Sequence, residues 1–91
     1  MKEKELEKIE KVENLEKLFA DRFTELLNES EMTLEEVAHC LGFQSKGTIS
    51  KYANGKNKKV SISTVDQIAK LFGVSPIWLM GYTDDKHYII K

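Results

Sequence analysis

The chain has 91 residues, 41% of them hydrophobic and 32% charged, with a formal net charge of −1. That length holds one small domain and excludes a (β/α)₈ barrel or a full dinucleotide-binding fold, while the apolar fraction excludes a wholly disordered chain. The longest apolar run, Ile77-Trp78-Leu79-Met80, is too short to cross a membrane, the Lys/Glu head is not a signal peptide, and the lone Cys40 forms no internal disulfide, which fits a reducing cytoplasm.

Residues 2–17 are mostly strong helix formers, with Glu7/Lys11 and Glu13/Lys17 as i,i+4 pairs in the favourable order. Leu6, Ile9, Val12 and Leu15 recur every three residues as a thin apolar stripe. Alone it makes a marginal helix. No Gly, Pro or Ser separates it from Phe19, Phe23, Leu26 and Leu27, so one helix is expected from about residue 3 to residue 28. The division expected is a charged helical extension over 1–18, a folded domain over 19–81 and a tail over 82–91. The extension reads either as a solubilising arm or as a helix that contacts a partner or a second copy.

Thr33 followed by Glu36 is a capping-box signature. Val37, Ala38 and Leu41 give the second helix one apolar face, and Gly42 ends it. Ser45 is placed to cap a third helix. On a 100° wheel Ile49, Tyr52 and Ala53 fall together, with Gly47 and Lys51 opposite, flanked by Lys46, Thr48 and Ser50. Asn54-Gly55 closes that helix. Ser61 caps a fourth, whose expected buried face is Ile62, Val65, Ile68, Ala69 and Phe72, ended by Gly73. Ser75-Pro76 opens a fifth that runs through Met80. In the tail, Tyr88-Ile89-Ile90 reads as a short strand or an unpacked end.

Charge is unevenly spread. Residues 1–41 carry six Lys/Arg and twelve Asp/Glu. Residues 42–70 carry Lys46, Lys51, Lys56, Lys58, Lys59 and Lys70 against Asp66 alone. A compact basic segment in an acidic chain points to an anionic partner at one face; the alternative is a lysine-decorated loop that keeps the chain soluble. Two short helices, a tight Gly-containing turn and a polar outer face on the second describe a helix-turn-helix.

Residues 33–55 resemble the core of the Cro/cI-type (XRE) phage-repressor family. The anchors are Ala38, Leu41-Gly42, Ile49-Ser50 and Asn54-Gly55, and the likeness continues through Gln67–Ser75 and Trp78-Leu79-Met80-Gly81. It covers roughly residues 19–83. The resemblance implies an all-α, five-helix, lambda-repressor-like bundle whose third helix enters the major groove of double-stranded DNA. It also implies a homodimer on an inverted repeat with half-sites about one helical turn apart. Carried over by position, Ser45, Lys46, Gly47, Thr48, Ser50 and Lys51 face the groove. The turn is one residue longer than the commonest version, which adds Gln44 to the base-reading set. Lysine carries donors only, which suits guanine O6/N7 or phosphate. Asn54, Lys56, Asn57, Lys58 and Lys59 match the family's phosphate-contacting loop. The family often has Gln where Leu34 stands and Glu where Ala53 stands.

Trp78 is expected in the core or in a dimer interface, with Met80, Tyr88 and Ile89 as further dimer-interface candidates. His39-Cys40 lacks the companions of a metal set. No Ser/His/Asp triad, P-loop or paired-carboxylate motif stands out, so no catalytic residue and no cofactor is expected. The function expected is a sequence-specific transcriptional regulator, a repressor acting in the cytoplasm. The alternative is a helix-turn-helix module that binds protein, such as an antitoxin or an antirepressor-binding partner.

Overall fold

A computed structural model of the chain describes the backbone of residues 2–56 and 60–89 and the side chains of residues 15–56 and 60–89. Five helices follow one another: α1 (Lys2–Glu29), α2 (Leu34–Cys40), α3 (Lys46–Ala53), α4 (Ile62–Phe72) and α5 (Pro76–Leu79). No strand occurs among the described residues, so the fold is all-α. The first helix is continuous, as its unbroken run of helix formers requires. Its apolar stripe at Leu6, Ile9 and Val12 lies outside the residues whose side chains are described.

The helix starts are set by local hydrogen bonds. Thr33 Oγ1 accepts from the Glu36 N–H, and Glu36 Oε1 accepts from the Thr33 N–H, both at 3.1 Å, closing the capping box. Ser61 accepts from the Thr64 N–H. Ser75 accepts from the N–H groups of Ile77 and Trp78, with Pro76 just inside the helix where its missing N–H costs nothing. Ser45 departs from expectation. It stands at the N-cap of α3 with extended backbone, yet its hydroxyl makes no capping hydrogen bond.

Gly42 turns the chain out of α2. Its φ of 78° lies in the left-handed region. The Gly42 N–H donates to the His39 carbonyl at 3.2 Å and the Phe43 N–H to the Ala38 carbonyl at 2.8 Å, which satisfies two carbonyls at the helix end. Phe43 is thereby delivered onto Tyr52 of α3, with ring centroids 5.8 Å apart. The packed rings fix how α3 sits on α2.

The core is drawn from every helix. Phe23, Val37, Ile49, Ile68 and Leu79 are completely buried. Phe23 stacks on Phe19 and meets Phe72 edge-on. Burying each such side chain stabilises the fold by about 1.5–3 kcal/mol, so α1 serves as the post on which α3 and α5 lean. Trp78, 5% exposed, takes the core alternative of its two readings. Ile62 does not join the buried face of α4 and is 78% exposed. It is the first residue of α4, one turn ahead of Val65, and it stands at the edge of an open groove instead of beneath a neighbouring helix.

The segment after α5 is tied down. Arg22 donates to the carbonyls of Trp78 and Thr83 and to Asp84 Oδ1. Lys86 pairs with Glu29 at 3.0 Å, and the Ser75 N–H donates to the Lys86 carbonyl at 2.8 Å. Tyr88 and Ile89 follow as exposed residues without strand structure, and Ile90 lies outside the described residues.

Candidate nucleic-acid interface

The outer face of α3 is built by the burial of its inner face. Ile49 and Tyr52 pack into the core, which at 100° per residue turns Lys46, Gly47, Ser50 and Lys51 outward. All four are exposed, as are Gln44 and Ser45 in the turn before them, while Thr48 is half-buried at the margin. The seven side-chain positions expected to read bases therefore form one strip from the turn along α3. The C-terminal end of the strip is fastened from behind, because Thr24 Oγ1 on α1 donates to the Ala53 carbonyl at 2.8 Å.

Gly47 leaves the middle of the strip flat. A Cβ built there would meet only Ser45 Oγ, at 3.5 Å, so no fold contact requires glycine. The uncapped Ser45 hydroxyl is likewise unclaimed by the helix. Both features leave polar groups of the turn and first helical turn available to an outside partner.

Asn54 and Lys56 continue the surface past α3. The Asn54 Oδ1 accepts from the Lys56 N–H at 3.1 Å, an Asx turn in which the side-chain NH₂ has no partner among the described residues. Both residues are exposed. Asn57, Lys58 and Lys59, the rest of the expected phosphate-contacting set, lie outside the described residues.

The two departures from the resemblance have structural counterparts. Leu34 is half-buried and packs against the core, and so does Ala53. Neither offers a polar atom to a ligand. At the same end of α2, Glu35 Oε1 lies 3.7 Å from Lys46 Nζ. Nothing in the periodicity of α2 separates Glu35 from Glu36. Only the tertiary position, across the turn from Lys46, brings it to the strip.

Among the other candidates, Met80 is half-buried and borders an apolar groove with Leu15, Phe19, Val60, Ile62 and Tyr82, of about 620 Å³. Tyr88 and Ile89 border a separate hollow beside Val74 and Pro76. No group of three or more potential metal ligands occurs among the described residues, and no described helix is long and apolar enough to cross a membrane.

Residues 22–85 match the sequence model of the family of Cro/C1-type HTH DNA-binding domains. The match begins inside α1 and ends past α5, so it spans all of the helix-turn-helix and the strip just described. No curated protein and no solved structure matches the chain.

Proposed function

Because the chain belongs to the family of Cro/C1-type helix-turn-helix DNA-binding domains, a family of DNA-binding regulators, we propose that it represses transcription by occupying an inverted-repeat operator as a homodimer, with α3 in the major groove. The observation that carries this reading is the division of α3. Ile49 and Tyr52 hold the helix to the core, while Lys46, Gly47, Ser50 and Lys51 stand together in solvent.

The roles follow from chemistry. Lys46 and Lys51 supply donors to guanine O6/N7. Ser50, Ser45 and Gln44 both donate and accept, so they suit base edges of either kind. Gly47 lets the helix backbone approach the groove floor. Asn54, through its side-chain NH₂, and Lys56 hold phosphates, with Lys58 and Lys59 assigned to the same loop by sequence alone. Phosphate contacts supply affinity and salt dependence, and base contacts supply sequence choice. For the dimer surface, the exposed apolar groove at Met80 and the exposed Tyr88 and Ile89 are the candidates.

Selection from a random duplex library at moderate salt tests this reading. The expected result is an enriched inverted repeat with half-site centres about 10 base pairs apart. A single enriched half-site would remove the dimer and keep the groove assignment. A protein-binding module is the second reading, favoured by the open groove, where Ile62 and Tyr82 are exposed large apolar side chains. An unenriched pool would support it.

A further inference from the structure

Two carboxylates open the first helix of the helix-turn-helix, and the fold uses only one. Glu36 is consumed by the capping box with Thr33. Glu35 makes no such bond. Its side chain is 75% exposed and reaches across to α3, where Oε1 lies 3.7 Å from Nζ of Lys46, itself 63% exposed. Any DNA that Lys46 touches in this pose is therefore within a few ångströms of the Glu35 carboxylate.

We propose that Glu35 is a positioning residue for specificity: it holds Lys46 toward base edges and away from phosphates. This rests on the reading of α3 as the groove helix. The ammonium group of lysine has three donors. In a base-reading pose it can keep the Glu35 carboxylate and still donate to a guanine edge. On this proposal a phosphate draws the ammonium off Glu35, and an unpaired carboxylate then faces the anionic backbone. In a helix-turn-helix the first helix of the pair crosses that backbone, which is where Glu35 would exact its penalty. The penalty falls on complexes that rely on phosphate contacts alone, because random DNA offers phosphates everywhere and the right base edge rarely. The effect belongs to an exposed pair, so it is modest: two- to fivefold in binding, about the range of exposed ion pairs.

The test uses E35Q, which keeps the shape and leaves the Glu36 capping box intact. Affinities of the full chain are measured across a salt series for its selected site and for a random duplex of about 20 base pairs, long enough for two half-sites. E35Q is expected to bind the random duplex about two- to fivefold more tightly, with a salt slope steeper by about one. The selected site should change by less than about twofold, so the specificity ratio falls. Its melting temperature should stay within about 3 °C of the parent. In a K46Q background E35Q should tighten the selected site and the random duplex alike and leave the specificity ratio unchanged, and a ratio that still falls there would overturn the positioning role. Unchanged random-duplex affinity and slope would overturn the proposal alone. A parent protein that binds no duplex would overturn the reading of α3, and the proposal with it.

Discussion

Arg22 of α1 and Trp78 of α5 hold each other twice. The guanidinium carbon lies 4.8 Å from the centroid of the indole ring, and Nη1 donates to the Trp78 carbonyl. The same guanidinium reaches the Thr83 carbonyl and Asp84, and Lys86 approaches the ring at 5.5 Å. One side chain therefore joins the long first helix to the last short one and to the segment that follows. The rigid fork of arginine suits this sharing of donors, and lysine does not reproduce it.

Arg22→Met should lower stability by about 2–3 kcal/mol, because a largely buried charged donor is lost and the carbonyls it served are left unpaired. Urea unfolding reads this as a lower midpoint at an unchanged slope. Asp84→Asn should leave the midpoint in place, since that carboxylate is fully solvated. A large effect at Asp84 would show that the ion pair, not the carbonyl contacts, makes the joint.

Two glycines separate backbone conformation from close approach. Gly73 has φ of 69° with open space where a Cβ would stand, and Gly81 has φ of 93° with Leu15 Cδ2 2.8 Å and Leu18 Cδ2 3.1 Å from that position. Gly73→Ala should cost about 1–2 kcal/mol through backbone strain alone. Gly81→Ala should cost up to about 1 kcal/mol more, because the side-chain ends of Leu15 and Leu18 must also shift. Equal thermal shifts for the two variants would mean that Leu15 and Leu18 move aside freely.

Gly47→Ala should do opposite things to stability and to binding. The site has room for a methyl group, and alanine favours the helix by about 0.5–1 kcal/mol. The melting temperature should rise. If α3 lies close in the groove, the added methyl group should weaken binding to the selected site. Tighter binding together with a higher melting temperature would place Gly47 away from the DNA.

Lys46→Glu with Lys51→Glu should abolish duplex binding while the melting curve keeps its shape, since both side chains are exposed. Lys56→Ala should act differently. It should weaken all sequences alike and lower the salt slope by about 0.9, as the loss of one phosphate contact predicts. A change in site preference on Lys56→Ala would move that residue from the phosphate set to the base-reading set.

Much of this molecule was legible in its sequence because the signals are local. The Thr33/Glu36 box, Ser75-Pro76 and Gly42 act within one turn of themselves, and each stands where its spacing placed it. The outward strip of α3 was also legible, since burying Ile49 and Tyr52 fixes the opposite face by helical geometry alone. The seating of Trp78 in the core was not, because an apolar residue on a short helix suits a core or an interface equally well. Nor was the exposure of Ile62, which continues the apolar pattern of α4 but lies where that pattern has no helix to meet. Arg22 reaching past α5 and Glu35 reaching Lys46 are contacts between separate elements. Periodicity and capping carry the sequence's information about single helices. Which helix covers which, and which charges meet across a turn, depends on how the apolar faces pack together, and only the tertiary structure decides that.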